Sequence, residues 1–172
     1  AKELSKEAKR QNKILPIHIK LDTGMTRFGL SFSKDSIEEI KRISKLEGIK
    51  IEGIFTHFAC ADEKDKSSSY KQLKDFLDMI ELLENEGIHI PIKHISNSAG
   101  IIDIPEGNLS MVRCGISTYG LYPSCDVEQS KIKLIPALSL KTHVSYIKEV
   151  EAGVGVSYGS TYITNKRTKI AT

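Results

Sequence analysis

Tryptophan is absent from the 172 residues, cysteine occurs only three times, and no apolar run approaches the roughly 20 residues that a membrane-spanning helix needs. Each shortage excludes something. The N-terminal stretch AKELSKEAKRQNK is charged and reads as a helix, without the apolar core of a secretory signal, so the sequence points to the cytoplasm. Cys60, Cys114 and Cys125 are an odd number with no close spacing, which suggests reduced thiols and argues against a disulfide framework or a zinc centre. The net charge of +3 is dispersed over helices that also carry acids, such as SIEEIKRISKLE. With no tryptophan and few clustered aromatic residues, a nucleic-acid partner is not expected.

With 40% hydrophobic and 27% charged residues, the composition is that of a soluble globular chain. LPIHIKLDT (15–23) fits a strand with Ile17, Ile19 and Leu21 on one face and His18, Lys20 and Asp22 on the other. Ile37, Ile40, Ile43 and Leu46 then recur at helical spacing, after an N-cap at Ser33 or Ser36 and before a stop at Gly48. The alternation repeats. IKIEGIFTHF reads as a strand, and residues 66–86 read as a helix with Tyr70, Leu73, Phe76, Leu77, Ile80 and Leu83 on its apolar face, ended by Gly87. IKHIS is a third strand, NSAGIIDIPEG is too short for a full helix, and LSMVRCGI is a fourth apolar run. Strands alternating with helices imply a parallel sheet. Beyond about Lys131 the extended stretches meet at glycines, as in an all-β segment. Only about four strands alternate with helices, where a closed eight-fold barrel needs eight. The chain therefore reads as a piece of something larger.

In a parallel α/β sheet, functional groups gather at the carboxyl ends of the strands. Those ends carry Lys20, Asp22 and Arg27 after the first strand, His57 after the second, His94, Asn97 and Ser98 at the third, and Arg113 and Gly115 at the fourth. A single such histidine is more often structural, but four consecutive ligand-competent ends weaken that reading. The small residues of NSAG and CGI let backbone amides approach an anion, which suggests a phosphate cradle.

KLDTGMTRFG, IFTHFACADE, HISNSAG, VRCGISTYGLYPS and ALSLKTHVSYIKEVEAGVGVSYGSTY resemble, in order, the motifs of the alanine racemase family. The resemblance implies a pyridoxal-phosphate-dependent isomerase on a TIM-barrel fold, supplying D-alanine for peptidoglycan. Arg27 matches the arginine that contacts the substrate carboxylate and the cofactor's phenolic oxygen, and Lys20 the lysine that can be carbamylated. The other reading of Lys20 is an ammonium paired with Asp22. His57 matches the histidine against the cofactor ring, Ser98, Gly115 and Ile116 the phosphate-binding positions, and Arg113 the arginine facing the pyridine nitrogen. His94 and Asn97 match residues that orient these groups. His18 matches no family role and is expected to fill the interior. Cys114 departs from the pattern, and its side chain is expected to turn away into packing.

The resemblance makes residues 1–130 about the second half of the barrel and residues 131–172 the start of a C-terminal β domain. The family's cofactor-bearing lysine and catalytic tyrosine are not recognisable here, so this stretch alone is expected to be inactive. Exposed strand edges are expected to drive association, and the family implies a homodimer. A serine or broad-specificity racemase of the same fold and a non-catalytic phosphate-binding module are the alternatives.

Overall fold

The alternation of Ile17, Ile19 and Leu21 with His18, Lys20 and Asp22 forms strand β1 (Leu15–Asp22) in the computed structural model, which describes residues 1–172. β1 runs parallel to the two-residue β2 (Leu30–Ser31) on one side and to β3 (Ile49–Phe55) on the other. β3 in turn pairs in parallel with β4 (Ile92–His94), so the sheet order is β2-β1-β3-β4. Three helices join these strands or precede them: α1 (Lys2–Arg10), α2 (Lys34–Ser44) and α3 (Ser67–Asn85). Ser33 is the cap of α2, its Oγ accepting the Ser36 amide at 3.2 Å. Beyond the helix Gly48 takes φ +75°, a left-handed turn that glycine enters without steric strain.

One face of the sheet is apolar. Ile19, Leu21 and Ile54 pack there with Ile40 and Ile43 of α2 and with Leu73, Phe76, Met79, Ile80 and Leu83 of α3. The buried face of α3 is rotated from the sequence expectation. Tyr70 and Leu77 are exposed, while Ser69 and Gln72 are buried beside Leu73 and Phe76. Hydrophobic periodicity misses this because Gln72 is buried for its hydrogen bonds: its Oε1 accepts the Ala59 amide at 2.9 Å and its Nε2 donates to the His57 carbonyl at 3.0 Å.

The opposite face carries polar and aromatic groups. In register across the strands Lys20 lies beside Phe55 and Phe55 beside His94, with His18 beside Gly53 in the neighbouring row. NSAGIIDIPEG holds only a six-residue α-helix, α4 (Ser98–Asp103), capped by Asn97 Oδ1 on the Gly100 amide at 3.0 Å. One further segment departs from expectation. LSMVRCGI forms no ladder strand. It runs beside β4 on separate backbone bonds, Ser110 N to Lys93 O and Arg113 N to Ser96 O, each 3.1 Å.

Residues 1–137 and residues 138–172 are two compact units. The second contains β5 (Ile147–Val150) paired antiparallel with β8 (Thr168–Ala171), and β6 (Gly155–Val156) paired antiparallel with β7 (Tyr162–Ile163). Thr164 is its buried polar anchor: the Oγ1 accepts the Val154 amide at 2.9 Å and donates to the Glu151 carbonyl at 2.7 Å.

The rotated face of α3 is directly testable. Phe76→Ala empties a fully buried site and is expected to destabilise by about 3–5 kcal/mol. Leu77→Ala, at a position 42% exposed, should stay within about 1 kcal/mol. Urea unfolding of the two variants distinguishes this face from the periodicity-based one, which predicts comparable losses.

Candidate functional site

The polar face of the sheet continues past the strand ends into an open cleft of ≈ 520 Å³. His57, Asn97, Ser98, Arg113, Gly115 and Ile116 all line it. Ser98 opens α4, and its Oγ accepts the amides of Gly115 at 2.9 Å and Ser117 at 3.3 Å, which ties the start of the helix to the CGIS turn. A Cβ added at Gly115 would lie 3.3 Å from that Oγ, so a larger residue would crowd the hydroxyl. Ser117 Oγ is buried with no hydrogen-bond partner.

Arg113 is the centre of a denser network. Its Nη2 donates to the Thr56 carbonyl at 2.8 Å, the Ile95 carbonyl at 3.0 Å and His57 Nδ1 at 3.1 Å, and its Nη1 donates to His94 Nδ1. Because a guanidinium has donors only, both histidines present a lone pair at Nδ1 and hold their proton at Nε2. Arg113 and His94 lie on the Phe55 ring: the guanidinium is 5.3 Å from its centroid, and the His94 ring is stacked at 4.8 Å with a 3° interplanar angle. Burial and the adjacent Arg113 charge push His94 down to about 4, with His18 contributing less. Burial lowers His57 as well, followed by the charges of Arg113, Arg27 and Lys20. Both rings are therefore neutral near pH 7.

Lys20 is buried, and its ammonium donates to the Leu21 carbonyl at 2.5 Å and the Phe28 carbonyl at 3.3 Å. It makes no salt bridge with Asp22, whose Oδ1 instead accepts the amides of Gly24 and Thr26, each at 3.0 Å. Asp22 thereby holds the turn that presents Arg27. Burial lowers the Lys20 pKa; the Asp22 charge opposes this, and Arg27 and Arg113 reinforce it. Arg27 is exposed and lies outside the cleft lining, with its guanidinium 5.5 Å from the Phe28 ring that Lys20 approaches to 5.4 Å. Cys114 is exposed and lines the cleft, against the expectation that it packs inward, because the segment carrying it is not covered as a sheet strand would be. Sequence reasoning also missed Phe55, Gln72 and the engagement of His18, whose Nδ1 lies 2.8 Å from His94 Nε2.

The family model for the alanine racemase N-terminal domain matches residues 1–123, and that for the alanine racemase C-terminal domain matches residues 137–172. The chain belongs to the alanine racemase family. The alanine racemase of Clostridium perfringens strain SM101 is 48% identical over 172 residues, covering all of this chain and 45% of the relative. Among solved structures, alanine racemase of Clostridium difficile 630 superposes with a TM-score of 0.82 at 46% identity, over 97% of this chain and 44% of that one. The alanine racemase of Bacillus anthracis with bound L-Ala-P superposes with a TM-score of 0.76 at 36% identity, over 99% of this chain and 45% of that one. The chain thus spans a little under half the length of these alanine racemases. The expected fold class, part of a TIM barrel followed by the beginning of an all-β region, is borne out.

The neutral His94 makes stability pH-dependent with a definite sign. Its folded value of about 4 lies below the ordinary 6.5, so between those values the unfolded chain binds the extra proton. The stabilisation is complete above about pH 6.5 and is lost as pH falls toward 4, with His57 acting in the same direction. Unfolding free energies from urea titrations at about pH 7.5 and about pH 4.5 should differ by on the order of 2 kcal/mol. His94→Asn, which keeps an acceptor for Arg113 without the titration, should flatten that difference.

Proposed function

We propose that this chain supplies the cofactor bed of a pyridoxal-phosphate-dependent racemase that interconverts L- and D-alanine. The observation that carries this reading is the convergence of His57, Asn97, Ser98, Arg113, Gly115 and Ile116 on one cleft. The residues fit the cofactor. The Ser98 hydroxyl at the start of α4 and the side-chain-free Gly115, both lining the cleft, suit a phosphate, which accepts hydrogen bonds from hydroxyls and amides. The flat, uncharged imidazole of His57 suits an aromatic ring.

When bound, pyridoxal phosphate would withdraw electrons from the amino acid's Cα so that its proton can leave and return on either face. The chain's own groups set the conditions. Arg113 can only donate, so a ring nitrogen facing it accepts and stays unprotonated; the ring is then a weaker electron sink, and proton return is favoured over side reactions. Arg27, presented by the Asp22 turn, offers a planar fork of donors to a substrate carboxylate. Lys20, Arg27 and Arg113 together make a positive field for an anionic cofactor and substrate. Lys20, with its lowered affinity for a proton, has more free amine than an exposed lysine, and free amine is the form that takes up carbon dioxide. Carbamylation would turn the cation beside Phe28 into an anion able to hold Arg27.

The rest of the reading concerns the whole protein. It would be a cytoplasmic homodimer supplying D-alanine for peptidoglycan, with residues 1–130 in the barrel and residues 131–172 in the β domain. The chain alone would lack the groups that carry the proton.

Pyridoxine phosphate, which has no aldehyde to react with surface lysines, tests the cradle. It should bind the cleft, and Ser98→Ala should weaken binding about fivefold to tenfold while leaving the weaker affinity for unphosphorylated pyridoxine unchanged. Equal binding of the two compounds, or equal loss in the variant, would reject the phosphate site. Carbon-13 bicarbonate should give one carbamate resonance that disappears in Lys20→Arg. A resonance that persists in the variant assigns the modification elsewhere.

A further inference from the structure

His18 lies on the sheet face beneath the site, one row away from Lys20, Phe55 and His94. Three features of the fold single it out. The parallel register between β1 and β3 shifts at this residue: Ile17 faces Ile51, but His18 faces Gly53, so Glu52 is an extra residue with no partner in the ladder. Gly53 is the residue opposite, and a Cβ there would lie 2.5 Å from the His18 ring atoms Cε1 and Nδ1, so any side chain would displace the imidazole. The ring also closes a chain of hydrogen bonds whose direction is forced. Arg113 Nη1 donates to His94 Nδ1, which leaves the His94 proton on Nε2, and that group lies 2.8 Å from His18 Nδ1. His18 therefore accepts at Nδ1 and carries its own proton at Nε2, 3.8 Å from Glu52 Oε2.

We propose that His18 is a positioning residue for Arg113, acting through His94 and backed by the bulged Glu52. The order of donation is Arg113 to His94 and His94 to His18, and the Glu52 carboxylate faces His18 Nε2 at 3.8 Å, an electrostatic contact beyond hydrogen-bond distance. An imidazole whose N–H is engaged by an acceptor is a stronger acceptor at its other nitrogen, so His18 strengthens the grip of His94 on the guanidinium. It also holds the His94 ring against rotation: a flipped ring would lose the His18 contact and turn carbon toward Arg113. The charged and titratable neighbours act consistently with this. Lys20 on β1, Arg113 on the 109–116 segment and His57 after β3 place no acceptor near His94 Nε2 other than His18, and Phe55 from β3 covers the ring by stacking. The purpose assigned to Arg113 rests on the function proposed above, whereas the hydrogen-bond chain can be measured without the cofactor.

The test is nitrogen-15 NMR of histidine and arginine side chains in the full chain with no cofactor added. In the wild type, His94 and His18 should both show an unprotonated Nδ1 and a protonated Nε2, with a coupling across the His94–His18 hydrogen bond. The Arg113 Nη resonances should be resolved, as expected for a guanidinium held against rotation. His18→Phe should abolish the coupling, expose the His94 Nε2 proton to solvent exchange and merge the Arg113 Nη signals. His18→Asn, whose Oδ1 can stand where Nδ1 stood, should restore separate Nη signals. A proton on His94 Nδ1 in the wild type, or resolved Arg113 signals in His18→Phe, overturns the proposal. Should His18→Phe fail to fold, Glu52→Gln decides: a shift of His18 Nε2 with a weakened coupling supports the chain, and unchanged resonances overturn it. Failure of the pyridoxine phosphate test with these nitrogen signatures intact would reject the cofactor reading and leave the relay standing.

Discussion

The site depends on one half-buried positive charge that has no carboxylate to answer it. The Arg113 guanidinium is satisfied by the carbonyls of Thr56 and Ile95 and by the lone pairs of two imidazoles. Thr56 directly follows β3 and Ile95 directly follows β4. Both carbonyls reach one guanidinium only while the two strands keep their register, a condition maintained by the β3–β4 pairing and by the Thr56 amide on the His94 carbonyl at 3.2 Å. Burial, reinforced by this positive charge, keeps both histidines neutral near pH 7. A carboxylate partner would have neutralised the charge and removed its share of the lowering, leaving burial alone to hold the imidazoles unprotonated.

The same arrangement explains the polar face of β1. The sheet separates two environments: on one side α2 and α3 seal an apolar core, and on the other Lys20, Phe55, His94 and His18 meet. Phe55 is what makes close approach of cations tolerable there. Its ring faces Lys20 at 5.8 Å and Arg113 at 5.3 Å, and it stacks on His94. An aromatic face attracts cations without becoming an anion that could capture them.

Much of this was legible from the chain. The period-2 pattern of residues 15–23 and the helical spacing of Ile37, Ile40 and Ile43 follow from which side chains avoid water, and the structure forms both elements. The family motifs carried the fold class. What could not be read depends on partners far apart in sequence or on polar groups buried for their hydrogen bonds. His18 and His94 are 76 residues apart, and nothing local to either announces the pair. The extra residue Glu52 in β3 is invisible to a strand pattern, because a bulge changes register without changing composition. Gln72 on the buried face of α3 looks like a solvent-facing residue until the backbone of Ala59 and His57 is placed against it. The 109–116 segment has the apolar content of a strand, yet its isolated bonds to Lys93 and Ser96 do not make a ladder.

Lysine and arginine are not interchangeable at the two cationic positions, and the reason is the ease of losing a proton. Burial lowers the affinity of Lys20 for its proton, which raises its share of free amine. Burial acts in the same direction on Arg113, but a guanidinium starts so high that it remains a donor throughout the physiological range. Exchanging the two residues would place a titratable amine where a permanent donor fixes the protonation of two histidines. It would also place an unreactive cation where an adaptable one lies within reach of the Phe28 ring and the Arg27 turn. The asymmetry of the site therefore follows from side-chain chemistry: the fixed charge belongs at the junction of β3 and β4, where His57 and His94 depend on it, and the adjustable one belongs on β1 beside the turn that presents Arg27.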